Sequence, residues 1–151
     1  MVKGFVGSRG NFWVEIKLNV GEKYMPMVRI DTTNEWTQKD ILLAGEIIYE
    51  VLMEVFSVPE NDKFQVINRH PKENLNIAPH FHGNEYSDKI LIIQIFLNQG
   101  RTAELKKKFY KELMSRLVVS LACRPDDIFV NLVEVTKDNW SFGNGLAQLA
   151  E

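Results

Sequence analysis

Residues 89–97 read "KILIIQIFL", an apolar run broken only by Lys89 at its start and Gln94 in its middle. A run of this length, rich in β-branched isoleucine, is the pattern of a strand covered on both sides, and it belongs at the centre of a sheet. Reading forward, Thr102 is placed to cap a helix whose apolar stripe runs Leu105, Phe109, Leu113, Leu117 and Leu121. Pro125 ends it, because proline disfavours a helical residue ahead of it and has no amide hydrogen. "IFVNLVEV", residues 128–135, supplies the next strand.

The same order stands nearer the N-terminus. Met27 to Asp31 alternates apolar and polar residues, a short strand that Thr32, Thr33 and Asn34 terminate. Thr37 followed three residues later by Asp40 resembles a capping box, and Ile41, Ala44, Ile48, Val51, Leu52 and Val55 recur at helical spacing. Pro59 stops this helix as Pro125 stops the other, and a second strand runs roughly from Lys63 to Arg69. Cap to cap and proline to proline, the two copies are offset by about the same amount. The chain is therefore a tandem pair of β-α-β units, each a parallel strand pair with a right-handed crossover. The expected fold class is α+β: one four-stranded mixed sheet with two helices on one face. Phe64, Val66, Ile93 and Phe129 are expected to leave the other face apolar, which calls for another subunit against it. "NLNIAPHFHGNEYSD", residues 74–88, reads as the loop joining the copies.

With 151 residues, 45% of them hydrophobic, the chain has material for one domain with its own core. A formal net charge of −2, with the basic residues dispersed, gives no footprint for nucleic acid or an anionic membrane. Cys123 is the only cysteine, so an intramolecular disulfide or cysteine zinc cluster is excluded, and a cytoplasmic location is the expectation. No run is long enough to span a bilayer as a helix. His70, His80 and His82 lack a carboxylate at a diagnostic ligand spacing, no G-x-S-x-G elbow picks out a serine, and "GNG" at residues 143–145 lacks the strand-to-helix setting of a phosphate loop. Neither a metal nor a cofactor is expected.

"GEKYMPMVRID", residues 21–31, places Met-Pro directly ahead of the first strand. An internal proline nitrogen belongs to an amide and has almost no basicity, whereas an amino-terminal proline is a secondary amine. A small residue after methionine permits removal of the initiator, so translation from Met25 delivers a free Pro26 amine. An α-amino group titrates near ~7.7–8.0, and burial beside apolar groups and cations lowers that value toward that of a general base at neutral pH. Residues 1–24 are accordingly expected to be a translated leader or N-terminal extension, with residues 25–151 as the single domain. The competing expectation is a genuine arm, with "NFWVEIKLNV" as an edge strand and Pro26 as an ordinary amide.

Met-Pro before a strand, the duplicated β-α-β plan, "VPENDKFQVINRH" (58–70), "GRTAELKKKFY" (100–110) and "NWSFGNG" (139–145) together resemble the tautomerase superfamily, and more narrowly its malonate semialdehyde decarboxylase branch. The resemblance covers residues 26 to about 148. It implies a catalytic amino-terminal proline at Pro26, an active-site aspartate at Asp62, an arginine at Arg101 and an aromatic pocket pair at Trp140 and Phe142. It also implies a homotrimer with sites near subunit boundaries. Where the decarboxylase carries a further arginine, two residues before Arg101, this chain has Gln99. Three readings follow: tautomerisation of a small 2-oxo or 2-hydroxy-enoic carboxylate by neutral Pro26; decarboxylation of a β-keto acid of the malonate semialdehyde type by the protonated amine or an iminium; or, with Pro26 in an amide, a non-catalytic oligomeric scaffold.

Overall fold

The structure is a computed structural model that describes residues 26–150. The expected leader over residues 1–24, the alternative edge strand within it, and Met25 lie outside the described residues. The elements in chain order are β1 (Met27–Thr33), α1 (Gln38–Phe56), β2 (Phe64–His70), β3 (His80–Phe81), β4 (Asn84–Glu85), β5 (Leu91–Asn98), α2 (Ala103–Leu121) and β6 (Ile128–Val135).

One sheet has the order β2-β1-β5-β6, parallel within each β-α-β unit and antiparallel at the β1–β5 seam. The repeat extends to register: Met27 pairs with Phe64 in the first unit and Ile92 with Phe129 in the second, so both partners move by the same 65 positions. Each helix is 19 residues long and begins at a threonine cap. Thr37 Oγ1 accepts the Asp40 amide at 3.1 Å while its hydroxyl donates to Asp40 Oδ2 at 2.7 Å, and Thr102 Oγ1 accepts the Leu105 amide at 3.2 Å. Each helix ends at a left-handed residue, Ser57 (φ 56°) and Ala122 (φ 50°).

The core lies between the two helices and one face of the sheet. Alternation along β5 sends Leu91, Ile93, Ile95 and Leu97 inward against Ile41, Ile48, Phe109, Leu113 and Leu117, all fully buried. This corrects the expectation that Ile93 belongs to the open face: strand period two puts its neighbours Ile92 and Gln94 there instead. Phe64, Val66 and Phe129 do face outward, at 51%, 45% and 39% exposure. Cutting Ile95 to alanine is expected to destabilise the fold by about 2–5 kcal/mol, because a central strand and two helices cannot collapse into the space it leaves; the shift of a urea unfolding midpoint measures it.

Polar residues cross the same open face. Asp31 takes the Arg29 guanidinium at 2.7 Å and meets His70 Nε2 at 2.6 Å. Burial alone raises the carboxyl's affinity for protons, but Arg29 and His70 together outweigh it and hold Asp31 below the ordinary aspartate value. The segment joining the units is more structured than a bare loop. It contains a 3-10 turn at Lys72–Asn74 and the β3–β4 pair, reversed through His82 (φ 48°) and Gly83 (φ 82°). Long-range hydrogen bonds hold it: Asp127 accepts the Ser87 amide and hydroxyl at 2.7 and 2.6 Å, and Asp126 accepts the Glu85 amide at 3.0 Å. Among the described residues no helix is long and apolar enough to cross a membrane.

Candidate active site

The register gathers three chain segments at one end of the sheet. Met27, the first residue of β1, lies between Phe64 of β2 and Phe96 of β5. Pro26 immediately precedes it and is buried. A proline is tolerated there because the ladder begins one residue later and asks nothing of its missing N–H. Asp62, two residues ahead of Phe64, and Asn98, two residues beyond Phe96, sit at this same end.

Arg101 is brought there by a turn after β5. Gly100 adopts φ 123°, a conformation open to glycine, and its amide donates to Glu134 Oε2 at 3.0 Å. The next side chain folds inward and is 7% exposed. Arg101 Nη1 donates to the Asn98 carbonyl at 2.8 Å, and the guanidinium carbon stands 4.7 Å from the centre of the Phe56 ring. Phe56 is itself stacked on Phe109 at 4.6 Å, so the cation rests on a platform built from both helices. Burial lowers the Arg101 pKa from its ordinary value, yet a guanidinium begins so far above neutrality that it stays charged.

Asn98 makes the second connection. Its side-chain oxygen accepts the Trp140 indole N–H at 2.8 Å, and Trp140 stacks on Phe142 with ring centres 5.9 Å apart. Trp140 follows a 3-10 turn at Lys137–Asn139, and its indole N–H reaches Asn98, the last residue of β5. Arg101, Trp140 and Phe142 thus form one connected set through a residue that sequence reasoning passed over. The signal for Asn98 was present: an amide closing an otherwise apolar strand, and buried to 2% exposure.

Asp62 is partly buried in the turn between α1 and β2, where its amide donates to the Pro59 carbonyl at 3.2 Å. Tyr49 fixes that turn by accepting the Asn61 amide on its hydroxyl at 2.8 Å. Gln99 is exposed, and its amide donates to the Val135 carbonyl at 3.0 Å. With Asn98, Gly100, Val135, Thr136 and Lys137 it lines a cleft of about 430 Å³. The histidines are not gathered into one group: His70 is bound to Asp31, while His80 and His82 lie on the β3–β4 hairpin. Among the described residues no group of three His, Cys, Asp or Glu side chains is placed to hold a metal ion.

Comparison with known proteins gives three further findings. The family model described as "Tautomerase enzyme" matches residues 62–143. "Probable tautomerase YusQ" of Bacillus subtilis (strain 168) is 34% identical over 127 residues, which are 84% of this chain and 100% of that protein. Among solved structures, a malonate semialdehyde decarboxylase described for its decarboxylase and hydratase activities superposes with a TM-score of 0.73 at 27% identity, over 82% of this chain and 95% of its own. A symmetric trimer of a fused 4-OT protein superposes at 0.67 over 82% of this chain and 97% of its own, and at 18% identity that likeness is one of fold.

Proposed function

Because the chain belongs to the tautomerase superfamily, in its malonate semialdehyde decarboxylase-like branch, we propose that it is a proline-based tautomerase of a small 2-oxo or 2-hydroxy-enoic carboxylate. In this reading Met25 starts the native protein and is removed, and Pro26 is a free secondary amine. The observation that carries it is the burial of a charged guanidinium, Arg101, joined through Asn98 to an aromatic pair at the sheet end where Pro26 leads into β1.

The chemistry follows from those positions. Arg101 holds the substrate carboxylate and draws electron density toward the adjacent carbonyl or enol oxygen. The neutral amine of Pro26 removes a proton from the enol hydroxyl or the α-carbon, and the resulting enolate is held by the guanidinium. The protonated amine then returns the proton to carbon or oxygen, completing keto–enol exchange without a redox change and without a cofactor. Trp140, partly buried, with Phe142 stacked on it at 40% exposure, would screen part of the enolate–guanidinium pair from water and so strengthen their attraction. Asp62 holds the ammonium form of Pro26 or orients a water.

Decarboxylation of a β-keto acid is the second reading, favoured by likeness to a decarboxylase at 27% identity. It requires protonated Pro26, whereas tautomerisation requires the neutral amine, so the pH limb on which activity falls separates the two. We place the chain in a cytoplasmic homotrimer, with the exposed Phe64, Val66 and Phe129 of the open sheet face covered by neighbouring copies. Sedimentation is then expected to give three times the chain mass.

The deciding experiment compares two proteins. One begins at Met1; the other is expressed from Met25 and verified by intact mass to begin at Pro26. The second is expected to turn over phenylpyruvate or 2-hydroxymuconate and the first to be inactive. Equal activity from both would remove the free amine from the mechanism.

A further inference from the structure

The turn that carries Asp62 is held by more contacts than its counterpart in the second unit. Asn61, immediately before Asp62, is left-handed (φ 73°), a conformation that most residues avoid and asparagine tolerates. Its amide donates to the Tyr49 hydroxyl on α1 at 2.8 Å. That hydroxyl stands 3.5 Å from the Pro59 carbonyl, which accepts the Asp62 amide at 3.2 Å, so a single partly buried phenol meets the backbone on both sides of the turn. Lys63, just past Asp62, stands 5.3 Å from the centre of the Tyr49 ring and forms an ion pair with Glu46, which neighbours Tyr49 on the surface of α1.

The repeat supplies an internal control. A step of 65 positions maps Pro59 onto Arg124, Asn61 onto Asp126 and Asp62 onto Asp127. The backbone bond is kept, with the Asp127 amide donating to the Arg124 carbonyl at 3.1 Å. Asp126, however, lies in a 3-10 turn at Pro125–Asp127 and is not left-handed. The helix position matching Tyr49 is Met114, which has no hydroxyl, and the positions matching Glu46 and Lys63 are Lys111 and Ile128, which cannot form an ion pair. The connection from helix to strand therefore closes without the phenol and without the charged pair. Both occur at the sheet end where Pro26 leads into β1, and both act on the segment that directs Asp62.

We propose that Tyr49 is a positioning residue for the reaction: its hydroxyl holds Asn61 left-handed and so fixes the direction in which Asp62 presents its carboxylate to the Pro26 amine. Parallel pairing supports the reach, because Met27 lies opposite Phe64 and one further step along both chains sets Pro26 beside Lys63, next to Asp62. Tyr49 acts only through Asp62. The assignment rests on the reading of Asp62 as partner of the Pro26 ammonium or of an ordered water.

Tyr49→Phe keeps the ring and removes only the hydroxyl. In protein beginning at Pro26, the Asn61 amide of this variant is expected to exchange with deuterium about fivefold faster, as loss of one hydrogen bond implies. Its kcat for phenylpyruvate is expected to fall about tenfold at unchanged KM, since Arg101 still meets the carboxylate while a catalytic group has lost its alignment. Asp62→Asn is expected to lower kcat at least as far, and Tyr49→Phe added to Asp62→Asn is expected to change kcat by less than about twofold, the non-additivity of two residues that act as one. Circular dichroism checks that each variant is folded at the assay temperature. An unchanged Asn61 exchange rate, or full kcat in Tyr49→Phe while Asp62→Asn is impaired, would overturn the role of Tyr49 and leave the proline mechanism standing. An equal loss from Tyr49→Phe in both backgrounds would overturn it as well, by revealing a route that bypasses Asp62. Full activity of Asp62→Asn would instead remove that carboxylate from the mechanism, and the role of Tyr49 with it.

Discussion

Pro26→Ala, in protein beginning at residue 26, is expected to lower kcat for phenylpyruvate tautomerisation by about 10²–10⁴-fold, the range a positioned general base contributes. KM is expected to change little, because the carboxylate would still meet Arg101, and a loss in kcat at constant KM marks an interaction made in the transition state. The replacement keeps an amine but removes the ring that fixes its direction. The backbone at this position donates no ladder bond, since pairing of β1 begins at Met27. The fold is therefore expected to survive, with circular dichroism and the unfolding midpoint unchanged. Wild-type turnover by the variant would end the proposal.

Arg101→Ala is expected to reduce kcat/KM by about 10²–10³-fold, the loss that follows removal of one electrostatic stabiliser of a developing oxyanion. Arg101→Lys is expected to recover little of it. A lysine ammonium has no planar fork to meet a carboxylate with two parallel hydrogen bonds, and it does not match the flat guanidinium that lies on Phe56 at 4.7 Å. Arg101→Ala removes the hydrogen bond to the Asn98 carbonyl and Arg101→Lys alters it, so unfolding midpoints must accompany the kinetics. A variant that unfolds at the wild-type midpoint and still turns over normally would show that the buried cation serves only the fold.

Much of this fold was legible because the repeat writes its rules twice. Thr37 and Thr102 cap their helices by the predicted hydrogen bonds, and the stripes from Ile41 to Val55 and through Phe109, Leu113 and Leu117 are buried as their spacing requires. Parallel pairing within each unit followed from the length of the crossover helix, and both pairs are parallel. Ile93 was misplaced because the two polar residues of a nearly continuous apolar run, Lys89 and Gln94, fall on opposite faces at strand period two and so do not tell those faces apart. Only the register with β1, which sets Ile93 opposite Ile30, resolves it. The β3–β4 hairpin was hidden for another reason: two-residue strands carry no periodicity, and the Glu85 and Ser87 amides that anchor this segment reach Asp126 and Asp127 some 40 positions away.

The candidate site was legible only by resemblance. Arg101, Asp62 and Trp140 each have an ordinary structural meaning when read singly, as a helix-preceding cation, a turn acid and a core anchor. Their assembly depends on Asn98, whose carbonyl and side chain join two of them, and on a strand pairing that no local pattern encodes.

The 65-position repeat has one further consequence. Asp62 of the first unit has Asp127 as its counterpart in the second, and there the acid tethers the linker through Ser87. The counterpart of Pro26 is Leu91, which enters its strand from an unbroken polypeptide. The two ends of the sheet are thus architectural twins, and only the first could carry the amine we propose. In the proposed reading a chain with two matching sheet ends therefore has one reactive centre, and the acid at the second end is left to anchor the linker.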